Sequence, residues 1–185
     1  MSILYCISPY AYAVTYYNTD RGDDQIMVYD VLEVYRHVVN YSDLNGYAGM
    51  SNMKLQKILY FIQAYFLAAC NRPCFDAQIE AWDFGPVVPE AYHEYKQFGS
   101  VDIPRIVSYI EENQNDILAS KVKPFNDDTI SREDRKMIDA VVDRFADYSA
   151  SDLTAITHHQ APWTDAYAPG FSRTISHEAL RSYFP

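Results

Sequence analysis

The stretch Met53-Lys54-Leu55-Gln56-Lys57-Ile58-Leu59-Tyr60-Phe61-Ile62-Gln63-Ala64-Tyr65-Phe66-Leu67 decides the fold. Leu55, Ile58, Leu59, Ile62 and Phe66 recur at three-and-four spacing, which sets them on one face of an α-helix and requires that face to be buried. The first half, where Lys54, Gln56 and Lys57 separate the apolar positions, reads as amphipathic. Past Tyr60 the apolar residues run almost all the way round, the pattern of a helix surrounded by other elements. The expectation is a mainly α, single-domain fold around a central buried helix from Met53 to Ala69, capped by Ser51 or Asn52 and stopped by Asn71 and Pro73.

On the N-terminal side, Val28, Val31, Leu32, Tyr35, Val38 and Val39 trace one apolar stripe, a helix that Asn40 and then Asn45-Gly46 should end. Residues 1–26 are Tyr-rich, then polar and acidic, with no sustained period. They read as an N-terminal extension ahead of a domain at 27–184, with Met27 as an alternative start. On the C-terminal side, Gln78 to Phe84 alternates with period two, predicting a short extended or β piece near residues 79–84. Gly85-Pro86-Val87-Val88-Pro89 should turn the chain, with Pro89 as the first residue of a helix through Tyr92, Tyr95 and Phe98 to Gly99. Ile106, Ile110 and Ile117 suggest a helix within 102–123. Ser131 and Asp134 resemble a capping box before a helix carrying Met137, Ile138, Val141, Val142 and Phe145. Ser151 is the expected cap of a short helix through Leu153 and Ile156 to His158, ended by Pro162. Ser176 should start a last helix that buries Leu180 and Phe184.

Composition narrows the function. Over 185 residues, 15 Lys and Arg against 25 Asp and Glu give a net charge of -10, and such a field opposes direct binding of nucleic acid. Cys6, Cys70 and Cys74 are odd in number and irregularly spaced, which argues against a disulfide framework and fits a reducing cytoplasm. Cys70 and Cys74 lack a second pair of ligands nearby, so no metal is expected and buried or half-buried thiols are. Ile3 to Tyr17 has no basic n-region and is broken by Pro9, which does not suit a signal peptide. No run reaches the roughly 20 apolar residues that cross a bilayer. The expected location is the cytoplasm.

His158-His159 is the most enzyme-like feature, because imidazole serves as a base or a metal ligand near neutral pH. Adjacent histidines on a helix point about a hundred degrees apart, however, and no H-E-x-x-H spacing accompanies them. The structural reading of His158 is therefore preferred over a hydrolase or metalloenzyme that pairs it with Asp152 or Asp165. His93 and His177 stand alone on helices. Gly85 is the sole glycine between Asn71 and Gly99, so phosphate-cradling turns are absent there, and neither a nucleophile elbow nor a dinucleotide fingerprint occurs. No catalytic residue and no cofactor is assigned. Trp82 and Trp163 suit a core, a groove lining or an interface anchor. The 17 tyrosines supply contact area with a polar tip, as interfaces do, or else a Tyr-rich core rim.

Three blocks say more together than singly. They are Ser51 to Tyr60, then Ile79-Glu80-Ala81-Trp82-Asp83-Phe84-Gly85-Pro86-Val87-Val88-Pro89, then Thr157-His158-His159-Gln160-Ala161-Pro162-Trp163. In this order and spacing they resemble the Panacea domain, formerly a domain of unknown function, whose members include SocA-like antitoxins and the phage-associated GepA. Leu55, Gln56, Tyr60, Ala81, Thr157, His158, Pro162 and Trp163 are the structural residues of that motif; Met53 and Ile58 stand where leucine is expected, volume-conserving changes that a core tolerates.

The resemblance implies a non-enzymatic antitoxin, encoded beside a toxin in bacteria or on phages and other mobile elements, that neutralises its partner by direct protein contact. The partner it implies is a cognate toxin, expected to be basic because toxins that act on nucleic acid or nucleotides often are, with a cellular protease as a further partner if the protein works as a proteolytic adaptor. The alternative is a phage or prophage protein that inhibits a host defence component. Trp82, Tyr92, Lys54 and Lys57, beside the rigid Gly85-Pro86 turn, are the candidate contact surface.

Overall fold

Helix α2 (Asn52–Ala69) runs through the middle of the fold, with Leu55, Ile58, Leu59, Ile62 and Phe66 fully buried as their spacing requires. The computed structural model describes residues 27–111 and 120–184, so the N-terminal extension lies outside the described residues. The other helices and the hairpin surround α2: α1 (Val31–Leu44), α3 (Pro89–Tyr95), α4 (Arg132–Phe145), α5 (Ala150–Thr157) and α7 (His177–Tyr183) all contact it, as does strand β2 (Gly85–Val87). The fold is mainly α.

Enclosure corrects the amphipathic reading of the first half of α2. Lys54, Gln56 and Lys57 are each only 1% exposed, as buried as the apolar stripe between them. Ser51 takes the extended N-cap conformation without a side-chain cap bond, and the Asn52 side chain is drawn elsewhere. At the far end Cys70 closes the last turn, and Asn71 leaves the helix with a φ of 54°, in the left-handed region that asparagine tolerates.

Helix α1 begins later and runs further than its stripe suggests. Asp30 caps it by accepting the Leu32 N–H, which leaves Val28 outside and exposed. Asn40 does not end it. Its buried side chain is occupied by the backbone N–H and carbonyl of Ile106, at 2.7 and 2.8 Å, so it does not compete for its own helix's bonds.

Strand β1 (Ile79–Trp82) and β2 form an antiparallel hairpin with Trp82 opposite Gly85, so the turn is Asp83-Phe84 and Gly85-Pro86-Val87 is strand, not turn. A third strand, β5 (Arg173–Ile175), pairs antiparallel with the other edge of β1 and places Ile175 opposite Ile79. Pro89 opens α3 as expected, and a 3-10 turn over Lys96–Phe98 ends at Gly99, whose φ is 56°.

The helix expected within 102–123 is overturned. Strands β3 (Ser108–Glu111) and β4 (Lys121–Pro124) form a separate two-stranded antiparallel sheet there, with Ile110 opposite Val122; Ile117 lies outside the described residues. Ile106 and Ile110 are four apart, a spacing that fits period two as well as a helix. The inner face of this sheet is fixed by Tyr109, over whose ring the Arg36 guanidinium sits at 3.6 Å.

Ser131 caps α4 by accepting the Asp134 N–H, but Asp134 does not complete a capping box. Its carboxylate instead accepts from the Tyr29 hydroxyl and from Arg72 at 2.6 and 2.7 Å, clamping the entry of α1 to α4. The cap of α5 is Ser149, two residues before the expected Ser151, and with Asp152 it forms a full capping box. Pro162 lies in the first turn of α6 (Ala161–Ala166), and Ser176 caps α7, which buries Leu180 and, just past its end, Phe184. Among the described residues no helix is long and apolar enough to cross a membrane.

Candidate functional site

The polar residues of α2 reach from the central helix to the segments around it. Gln56 accepts the Val88 N–H at 2.9 Å and donates to Asn52, which donates in turn to the Tyr92 carbonyl at 3.0 Å. This chain ties α2 to the exit of the hairpin and to α3. One turn on, Tyr60 donates to the Gln160 side chain at 2.9 Å, holding the connection between α5 and α6. Gln63 accepts from the N–H groups of Cys74 and Phe75, donates to the Phe75 carbonyl, and lies 3.0 Å from His177 Nε2. A buried amide with all its capacity used in this way fixes a loop as firmly as a β-ladder would.

The two lysines are positioned by carbonyls. Lys54 donates to the Ala146 carbonyl at 2.7 Å, at the C-terminus of α4, where the helix dipole favours a cation. Burial lowers its pKa, opposed by the charges of Asp102 and Asp147. Lys57 lies deeper. Its Nζ donates to the Pro86 carbonyl at 3.3 Å, and burial lowers its pKa to about 7. Among the described residues no carboxylate forms a salt bridge with it. Gly85 covers it with backbone alone: a Cβ there would stand 2.7 Å from Lys57 Cε and 3.0 Å from Thr157 Oγ1, and Gly85 has a φ of 100°. Glycine is thus required twice at this position, for its backbone conformation and for the close approach.

Beside this lysine is an aromatic stack. His158, at the C-cap of α5, lies flat on Trp163 with centroids 4.0 Å apart, and Trp163 stacks on Tyr167 at 4.5 Å. The Trp163 indole donates to the Trp82 carbonyl at 3.1 Å, and Tyr167 donates to Asp83 at 2.9 Å, so the stack supports the hairpin from below. Among the described residues His158 Nε2, which is buried, has no hydrogen-bond partner; burial, then the charges of Lys57 and His159, lower its pKa and favour the neutral ring. Asp152 is engaged in the α5 cap and Asp165 is exposed on α6, and neither bonds to His158. His158 therefore meets its surroundings by stacking, not by the carboxylate pairing that acid–base work needs.

The three sequence blocks converge here. Leu55 and Ala81 are core, Gln56, Tyr60 and Thr157 are buried and hydrogen-bonded, Pro162 and Trp163 are buried, and His158 covers Trp163. The residues expected to form one contact surface are not brought together as one. Lys54 and Lys57 are corrected from surface to interior, because backbone carbonyls at Ala146 and Pro86 take up their ammonium groups, and Gly85 and Pro86 are buried above Lys57. Trp82 and Tyr92 stay half-buried at the hairpin edge, their rings 5.1 Å apart. Two neighbours were missed: Phe84, 67% exposed at the hairpin tip, and His93, which packs near both rings. Gln63 was missed too, although a lone amide in the part of α2 that is apolar all round was a signal for it.

Elsewhere, an open pocket of about 540 Å³ between α4 and α5 is lined by Asp147, Tyr148, Asp152, Ala155 and Ile156, away from the motif residues. Cys74 is buried and Cys70 half-buried, both as free thiols, and burial raises the pKa of each. Among the described residues no group of three or more His, Cys, Asp or Glu is arranged to hold a metal ion.

The family described as antitoxin SocA-like, Panacea domain, matches residues 55–164, from the first turn of α2 to α6. A protein named Antitoxin SocA from Caulobacter vibrioides (strain NA1000 / CB15N) is 35% identical over 122 residues, 65% of this chain and 61% of that protein. The chain thus spans about three fifths of the length of the curated relative it matches. No solved structure matches.

Proposed function

Because the chain belongs to the antitoxin SocA-like Panacea family, we propose that it is an antitoxin that neutralises a partner toxin by direct protein contact, without chemistry of its own. The observation that carries this reading is what the polar groups in and beside the matched segment do. Lys54, Gln56, Lys57 and Gln63 end on backbone carbonyls and amides, and the His158–Trp163–Tyr167 stack ends under the hairpin. These side chains hold a short hairpin rigidly at the rim of a helical body. Rigid presentation of a few aromatic residues suits binding, since a preorganised surface loses little freedom on association.

The unit that binds is the domain at 27–184, with residues 1–26 as an extension of it. Its net charge of -10 suits a basic partner, drawn in by the long-range field. It acts in the cytoplasm, and its gene lies beside that of the toxin, in bacterial chromosomes or on phages and other mobile elements.

The test is co-expression with the product of the neighbouring gene. Rescue of growth together with isolation of a complex of the two purified proteins is expected. Persistent toxicity with no complex refutes the reading, and capture of a host defence component in its place supports the alternative of a phage-derived inhibitor.

A further inference from the structure

Three rings gather at the hairpin edge, outside the apolar core. Trp82 meets Tyr92 edge-on, with planes at 68°, and His93 lies 5.4 Å from Tyr92 at 73° and 6.3 Å from Trp82. Trp82 and Tyr92 are half-buried, His93 is exposed, and the more exposed Phe84 extends the surface at the tip of the same hairpin.

A carboxylate borders these rings. Glu80 accepts the Trp82 indole N–H at 2.7 Å, which fixes the ring and sets a carboxylate at its edge. On α3, Glu90 and Glu94 flank Tyr92 and His93 in sequence. Lys96, 3.5 Å from His93 Nδ1, is the cation beside the same ring.

We propose that the Trp82–Tyr92–His93 surface is a receptor for an arginine side chain of a basic protein partner. A guanidinium is flat and weakly hydrated, stacks on an aromatic face, and directs its N–H groups outward to carboxylates at the ring edge. The other occupants fit less well. A second copy of this chain would bring a net charge of -10 against the same sign, and a nucleic acid would meet the same repulsion. The partner's identity as a toxin rests on the antitoxin reading above; the chemistry of the receptor does not.

The test uses the full chain labelled with ¹⁵N. Its two tryptophans give two indole N–H signals, one bonded to Glu80 and one, from Trp163, buried under the hairpin as an internal reference. A capped Gly-Arg-Gly-Arg-Gly peptide should move the Trp82 signal saturably. The same peptide with citrulline in place of arginine should bind about tenfold more weakly, because it keeps the shape and loses the charge. Tyr92→Leu and Glu80→Gln should each weaken the arginine peptide with the Trp163 signal unmoved, which shows that the fold is intact. Equal response to both peptides, or no movement of the Trp82 signal, overturns the proposal.

The same variants are then assayed with the neighbouring gene product. Weakened complex formation supports the receptor, and undiminished binding overturns it while leaving the antitoxin reading in place. If the unaltered chain binds no such product, the antitoxin reading fails and the peptide titration alone decides the receptor.

Discussion

Replacing Lys57 by methionine should stabilise the protein, although it removes a buried hydrogen-bonded residue. Burial lowers the ammonium pKa from 10.5 to about 7. Each tenfold change in acidity is about 1.4 kcal/mol, so keeping this amine buried costs roughly 4 kcal/mol at neutral pH, compared with a side chain that never ionises. The folded-state pKa lies below the unfolded one, so the unfolded chain holds more protons between about 7 and 10.5. The stability from this group is complete above the upper value and is lost as pH falls towards the lower one. Methionine fills a similar volume but leaves the Pro86 carbonyl without the 3.3 Å bond from Nζ, which costs about 1–3 kcal/mol. The net expectation is a gain of about 1–3 kcal/mol at about pH 7, shrinking by about 2 kcal/mol by about pH 9. Urea unfolding of both proteins at both pH values, followed by circular dichroism, measures it, and taking the difference cancels the titration of groups common to the two. A Lys57→Met protein that is less stable at neutral pH by a margin that does not change with pH would refute the reasoning, since Lys57 would then be charged and fully compensated in the fold.

Three further outcomes follow from the same contacts. Gly85→Ala should cost about 2–5 kcal/mol in urea unfolding, combining the left-handed backbone with overlap on Lys57; a Lys57→Ala background should relieve the overlap and leave the backbone part, and a cost under about 1 kcal/mol would contradict the close approach. At His37, burial opposes the charged ring, but bonds to Asp139 and Asp127 outweigh it and raise the pKa above 6.5. Its stabilisation is whole below 6.5 and fades as pH rises through the raised value, so the loss of Tm between about pH 5.5 and about pH 8 should be smaller in His37→Gln than in the unaltered protein, and a larger loss in the variant would reverse the sign. Leu59→Ala, at a fully buried position, should cost about 2–5 kcal/mol, and less than about 1 kcal/mol would remove α2 from the centre of the core.

What the sequence revealed was local or periodic. The stripe from Leu55 to Phe66 located the core, and Ser131, Ser176 and Pro89 marked helix starts because a cap depends on a few adjacent residues. What it hid depends on distant partners. Lys54 and Lys57 read as solvated because a charge at a helical position ordinarily is, and the carbonyls that draw them inward lie 92 and 29 residues away. Strand β5 has three residues, too few to show a period, and exists because β1 offers it an edge. Around β3, Ile106 and Ile110 kept a spacing that two kinds of structure share. The hairpin edge was partly legible through Trp82 and Tyr92. Phe84 and His93 were not, because exposure at a tight turn and nearness across a hairpin are set by register.

The pairing of β1 with β5 also governs the order in which the chain can close. Ile79 and Ile175 are nearly a hundred residues apart, so this edge of the hairpin waits for all of that intervening chain to be made before it meets its partner, and the long loop must be closed before the contact gives anything back. Until then β1 presents unpaired amides and carbonyls along one side, the kind of open edge on which nascent chains join one another. Helix α2, in contrast, meets Cys74, Phe75 and Val88 within a few tens of residues through Gln63 and Gln56, and those early bonds anchor the segments on either side of the hairpin while its last strand is still being made.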